Sequence, residues 1–249
     1  MSWWLPFKAS TFAPQIDGMF TAILIITGIT LVLVEVGLIW FIIRYRQRPG
    51  RKAFYTHGNT RTEVIWTAIP AVTMVILGLA SNGMWVKIKG RNSVPANAYP
   101  IGVHAKQFEW WMTYPGADGK LGRVSVDLVD KKTNPTGLDR TDPASNDDIV
   151  VRNQLHIPVA RDIVVNLSAE DVIHSFYVPQ FRVRQDAVPG MGIRVWFQAT
   201  VPGTYELGCS QLCGLGHYKM RAQVFVHTQE EYDTWVQQRA AQAKGGTTS

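Results

Sequence analysis

The sequence predicts an N-terminal two-helix transmembrane hairpin, then an all-β domain of sandwich or barrel type, closed by a short C-terminal helix. Three observations carry this expectation. Two long apolar runs lie near the N-terminus, a dense positive cluster separates them, and the rest of the chain is a series of short β-rich segments punctuated by turn residues.

Residues 19–43 (MFTAILIITGITLVLVEVGLIWFII) contain one charge, Glu35, and residues 64–85 (VIWTAIPAVTMVILGLASNGMW) contain none. A bilayer core needs roughly 20 apolar residues of helix, so both runs are long enough to span it. Buried helices of a soluble domain are the weaker reading, because nothing else in the chain is apolar enough to enclose them. The first run exceeds an ordinary signal-peptide core and ends in RYRQR rather than in small residues, so no cleavage is expected. Glu35 is costly in lipid and is expected to face protein, in an interhelical hydrogen bond.

The connecting loop, residues 44–63, carries Arg44, Arg46, Arg48, Arg51, Lys52 and Arg61 before its first acid, Glu63. Such a concentration of positive charge marks the cytoplasmic side. The hairpin, residues 1–90, is therefore expected to be N-out and C-out. Residues 91–249 then lie in the periplasm or its equivalent, with a bacterial inner membrane as the expected setting. The formal charge of +6 has the same origin: residues 1–89 hold nine Lys/Arg against three acids, whereas residues 90–249 hold sixteen of each. The basic balance reports topology, which makes the lipid bilayer a partner and argues against nucleic acid.

In the outer domain, residues 104–114, 149–158, 162–169, 171–179, 193–200, 204–209 and 221–227 read as strands, with Pro-Gly pairs at 115–116, 189–190 and 202–203 between them. Their spacing suits a sandwich or barrel. No βαβ alternation, nucleotide loop, internal repeat or G-x-S-x-G is present. Residues 117–148 form a polar surface insertion, with a short strand or hairpin expected around 123–129. Thr228 and Glu231 fit a capping box that opens a final helix, and the tail GGTTS is expected to fray.

The two cysteines stand together in CSQLCGLGHYKM, residues 209–220. A Cys209–Cys213 disulfide would close a very small loop and strain the bond. Two inert core thiols would leave the glycine-flanked His217 unexplained. A metal accounts for the spacing better: thiolates select soft or borderline ions, and imidazole with thioether points towards copper rather than zinc. Two cysteines suit two coppers, which require one more histidine. His57 is on the wrong side of the membrane, His156 reads as structural, and His104 and His227 have no cluster around them. His174, in DVIHSFYVP, is the best candidate.

The pattern C-S-x-L-C-G-x-x-H-x-x-M, preceded by V-I-H-S-F and Q-D-A-V-P-G, closely resembles subunit II of haem–copper cytochrome c oxidases, and the resemblance spans nearly the whole chain. It implies a cupredoxin fold with the dinuclear CuA centre. Cys209 and Cys213 would bridge two copper ions, His174 and His217 would bind one each, and Met220 and the main-chain carbonyl of Gln211 would be the outer ligands. The subunit would take electrons from cytochrome c or a similar carrier and pass them to haem in subunit I, within a complex of further subunits that reduces oxygen to water and translocates protons. Haem is expected only in the partner. A CuA-bearing nitric oxide reductase subunit and a copper-free quinol oxidase subunit are the alternatives.

Three departures accompany the resemblance. The family's glutamate at position 211 also touches a magnesium ion at the interface with subunit I, and Gln211 lacks that charge. The family's electron-receiving tryptophan is replaced by Phe108, with Trp110 and Trp111 as nearby substitutes. Met191 stands where arginine is frequent, with Arg194 close by. Glu109 and Asp186 are the candidate acids for docking a basic carrier. Glu63, in HGNTRTEVIWTAIP, matches the acid at the mouth of the family's proton-uptake pathway; a helix-start carboxylate is the plainer reading.

Overall fold

The computed structural model describes residues 5–245 and separates into two compact units. The first comprises residues 15–90 and is made chiefly of α1 (Ala13–Tyr45), from its third residue on, and α2 (Thr60–Lys89). At 1.5 Å per residue, helices of 33 and 30 residues exceed the ~30 Å hydrocarbon thickness. Their apolar windows are unburied within the protein, as expected of surfaces that meet lipid. Asn59 caps α2 by accepting hydrogen bonds from the Arg61 and Thr62 backbone N–H groups, which places Glu63 in the first turn. Both helices run past the apolar stretches because polar flanking residues continue the backbone ladder.

The second unit is a two-sheet sandwich with the cupredoxin-like architecture that the resemblance implies. Its strands are β1 (Tyr99–Lys106), β2 (Glu109–Tyr114), β3 (Ile149–Arg152), β4 (Gln154–Pro158), β5 (Asp162–Ala169), β6 (His174–Val178), β7 (Val183–Ala187), β8 (Ile193–Gln198), β9 (Gly203–Cys209) and β10 (Arg221–His227), followed by α3 (Gln229–Gly245). One sheet has the order β3-β2-β1-β5-β8 and the other β4-β10-β9-β6-β7. Alternation along the strands turns Ile101, Val103, Ile163, Val165, Leu167, Phe176, Phe197, Leu207 and Val224 inward, where they are almost wholly buried.

Several sequence expectations change. The run 104–114 is a hairpin: Lys106 pairs with Glu109 across a turn at Gln107 and Phe108, and β1 begins earlier, at Tyr99. The run 149–158 is two strands in different sheets, because Asn153 adopts φ +54° and redirects the chain. The Q-D-A of QDAVPG, absent from the expected strands, lies in β7, antiparallel to β6. Around 123–129 there is a 3-10 turn at Val126–Leu128, with isolated bridges Val124–Leu138 and Asp130–Asn134, instead of a strand. Asp130, Asn134, Asp139 and Asp142 accept local backbone N–H bonds that compete with strand pairing.

Residues 5–14, read with the hairpin from the sequence, group instead with the sandwich. Thr11 N–H donates to the Gln198 carbonyl, Ala9 N–H to Gln180, and Thr200 N–H to Ala9. Phe12 meets Trp196 edge-on at 4.7 Å. At the other end the capping box forms as expected, with Glu231 N–H donating to Thr228 Oγ1 and Thr228 N–H to Glu231 Oε2. Of the tail GGTTS expected to fray, Gly245 ends α3, and residues 246–249 lie outside the described residues. Tyr232 and Trp235 fasten α3 to the sheet, the Trp235 ring stacking 4.2 Å from His156. His156 Nδ1 lies 2.8 Å from His227 Nε2, so His227 does belong to a cluster.

Candidate metal centre

The centre is built from three local pieces. β9 ends at Cys209, and residues 210–220 loop back to start β10; Cys209 N–H donates to the Met220 carbonyl and closes the loop at its base. β6 begins at His174 and pairs with β9. The β1–β2 turn supplies Gln107 and Phe108. Strand pairing thus brings His174 to a loop that lies 35 residues later.

His174 Nδ1 is 4.0 Å from Cys209 Sγ, and His217 Nδ1 is 3.5 Å from Cys213 Sγ. The two sulfurs are 3.8 Å apart, and both cysteines are free thiols, which sets aside the disulfide. Met220 Sδ lies 3.7 Å from Cys213 Sγ, and the Gln211 carbonyl oxygen lies 3.2 Å from Cys209 Sγ. His174, Cys213 and Met220 are buried. Six potential donors from positions 174, 209, 211, 213, 217 and 220 therefore meet in one place.

The protonation chemistry suits a soft cation. Burial opposes ionisation of Cys209, but His174 and the backbone groups of Ser175 and Gln211 outweigh it and bring the thiol down to about 6. Burial, and then the neighbouring Cys209, push the Cys213 thiol up to about 12. Two thiolates this close repel each other, and a cation held between them removes that repulsion. Two thiols, two imidazoles, a thioether and a carbonyl form the set that copper prefers, so the residues present fit it.

Two supporting residues escaped the sequence reading. Asp171 Oδ1 accepts from His174 Nε2 at 2.8 Å, which leaves Nδ1 turned towards Cys209; Asp171 also accepts from the Val172 and Gln107 backbone N–H groups. Metal-binding histidines characteristically rest on such a carboxylate. The spacing D-x-x-H was the available signal, but many surface turns share it. Gln107 Nε2 donates to the Cys213 carbonyl at 2.6 Å and braces the loop against the hairpin turn. Phe108 packs against Gly214 and Gly216, and a methyl group at Gly216 would run into its ring. Gly214 also has φ +128°, which favours glycine.

The remaining site candidates separate. Phe108 lies against the loop. Trp110 is fully buried, edge-on to His174 and Phe176, so it lines the centre from within and no carrier can touch it. The Trp111 indole N–H donates to Glu109, whose carboxylate also pairs with Lys106 and Arg152, each at 3.4 Å; its charge is committed locally. Asp186 stands opposite Ser175 on β7, beside His174. Met191 is exposed, and Arg194 lies on β8 opposite Asn166.

Comparison with known proteins bears on all of this. A family model described as the cytochrome c oxidase subunit II periplasmic domain matches residues 101–226, and one for its transmembrane domain matches residues 1–83. The alternative cytochrome c oxidase subunit 2 of Bradyrhizobium diazoefficiens is 34% identical over 241 residues, covering 95% of this chain and 84% of that protein. Cytochrome c oxidase subunit 2 of Thermostichus vulcanus is 34% identical over 260 residues, covering 95% and 79%. The crystal structure of the periplasmic domain of subunit II of cytochrome oxidase of Bradyrhizobium japonicum superposes with a TM-score of 0.44 at 30% identity, over 60% of this chain and 98% of that one.

Proposed function

The chain belongs to the cytochrome c oxidase subunit II family, and from this membership and its metal centre we infer that it is the electron-accepting subunit of a haem–copper terminal oxidase. It is a copper-binding membrane protein with an extracytoplasmic C-terminal domain. Its partners are the haem-bearing subunit I, where oxygen is reduced to water, and a cytochrome c or similar donor. The observation that carries the reading is the convergence of both thiols, both imidazoles and the thioether where β9 ends and β6 begins.

We read the centre as dinuclear CuA. Cys209 and Cys213 would hold both ions, His174 and His217 one each, with Met220 and the Gln211 carbonyl as weaker ligands; the presence of one imidazole beside each sulfur supports this division. When bound, copper supplies a one-electron couple. The protein's part is to hold the donors still. Two paired strands fix His174 and Cys209, Asp171 sets the tautomer of His174, and the apolar wall of Trp110 and Phe176 excludes water. Gln211, being uncharged, would hold magnesium less firmly than a glutamate.

The N-out orientation draws support from Ala9 and Thr11, which are hydrogen-bonded into the outer unit just before α1 begins at Ala13. Glu63 is proposed as the proton-uptake acid: Glu63→Gln should slow turnover while copper reduction by the donor stays intact, and unchanged turnover would leave it a helix-start residue. For the centre itself, the test is copper content and electron paramagnetic resonance of the purified full chain. Two coppers per chain with hyperfine structure from two nuclei is the expected result; one copper with a single-nucleus spectrum would overturn the dinuclear assignment.

A further inference from the structure

β1 sends Ile101, Val103 and Ala105 into the sandwich core and leaves Gly102 and His104 on the opposite face of the sheet, under the polar insertion. Two cavities of about 300 and 270 Å³ lie in this layer, and His104, Thr136 and Ser168 line both. The sequence reading found no cluster around His104. The structure supplies one.

His104 is 7% exposed. Its Nδ1 is 3.0 Å from Ser168 Oγ, whereas its Nε2 is buried with no hydrogen-bond partner in the protein. Glu170 Oε2, also buried and without a partner, lies 3.8 Å from that nitrogen. Thr136 Oγ1 is a third buried polar atom in the same condition. Glu170 is held in place by its own backbone, whose N–H donates to the Ala105 carbonyl of β1. Leaving a buried polar atom unsatisfied costs about 1–3 kcal/mol, so three in one layer call for a ligand.

The chemistry of the pair narrows what that ligand is. Ser168 Oγ can accept from Nδ1–H, and that tautomer, the one a metal ligand requires, turns the Nε2 lone pair towards the carboxylate oxygen. A proton is a poor remedy: burial first, and then the charge of Lys106, hold the imidazole below its ordinary value, only partly offset by Glu170. The separation also exceeds a hydrogen bond. Two opposed acceptors, one imidazole and one carboxylate, suit a divalent cation of borderline softness. At zinc–ligand distances of roughly 2.0–2.1 Å, tetrahedral donors stand about 3.3–3.4 Å apart, so the pair would need to close by only about half an ångström.

We propose that His104 and Glu170 form a second metal site, for a zinc-type divalent cation, separate from the copper donors, with Thr136 as a further polar group lining the cavities that His104 borders beneath the 117–148 insertion. The inference does not depend on the copper assignment. By joining β1 to the segment after β5 beneath the insertion, such an ion would stiffen this layer.

The test is zinc titration of the purified full chain with copper already loaded, read by calorimetry and by metal analysis after gel filtration, with the copper resonance spectrum recorded alongside. One zinc per chain is expected, without loss of copper, and the affinity should fall at least tenfold in His104→Ala and in Glu170→Gln. If His104→Ala does not fold, the near-isosteric Glu170→Gln decides alone. No zinc uptake, uptake only as copper leaves, or equal affinity in Glu170→Gln and the parent would each overturn the proposal.

Discussion

Replacing Asp171 with asparagine tests whether the copper centre is oriented from outside its ligand set. Asp171 Oδ1 accepts from His174 Nε2 at 2.8 Å and from Val172 N–H at 2.7 Å, while Oδ2 accepts from Gln107 N–H at 2.8 Å. Asparagine keeps one oxygen. If that oxygen stays on His174, the amide NH₂ confronts the Gln107 N–H, donor against donor; if the amide turns over, His174 loses its acceptor. Either way the charge that strengthens the His174 bond is gone, and hydrogen bonds to charged groups contribute about 1.5–3 kcal/mol. Supporting carboxylates of this kind typically govern metal affinity by about 10- to 100-fold, or ~1.4–2.7 kcal/mol. Asp171 is partly exposed, so the fold should persist. The assay is competition for copper between the purified chain and a chelator of known affinity, with thermal melting of the metal-free form as the control for folding. An affinity within threefold of the parent would refute the orienting role.

Three further outcomes follow from the geometry. Gly216→Ala should destabilise by about 1–3 kcal/mol through overpacking against Phe108, and Phe108→Leu in the same chain should recover part of the loss in a denaturant double-mutant cycle. Burial, followed by the nearby charges of His227 and Arg239, holds His156 down to about 3, so the unfolded chain binds the extra proton first; stability should be full above about pH 6.5 and decline towards pH 3. Thermal melts of His156→Phe should show a shallower decline than the parent across that window. Because Glu109 is already paired with Lys106 and Arg152, Asp186→Asn should alter the salt dependence of electron uptake from a basic carrier more than Glu109→Gln does, as stopped-flow rates at several ionic strengths would show.

What was legible in the sequence has a common character. Amino acids that lie close together in the chain decided it. The two spans are legible because lipid solvation depends on an unbroken apolar run. The dense positive loop between them is a local charge count, and the capping box closes over three residues. Five of the six donors, Cys209, Gln211, Cys213, His217 and Met220, fall within twelve residues, and the soft chemistry of four side chains among them was visible before any fold was known. The misreadings share a different character. The run 104–114 reads as one strand because it is rich in β-forming aromatic residues, while the turn at Gln107 and Phe108 has neither glycine nor proline to mark it. The short strand or hairpin expected near 123–129 is reduced to isolated antiparallel bridges, because carboxylate and amide side chains of the insertion bond to nearby backbone.

The sequence alone determined a membrane hairpin, a β-rich outer domain and a loop able to bind a soft metal, since each depends on local composition and spacing. Only the tertiary structure decided that His174 meets Cys209 across a strand pair, that Asp171 backs it, and that Phe108 lies over Gly216. It also buried Trp110, tied Glu109 to two cations, joined residues 5–14 to strands near position 200, and set His104 against Glu170. Most of these are pairings between distant parts of the chain. They are set by the register of two packed sheets, in which a shift of one residue would turn each of these side chains to the other face.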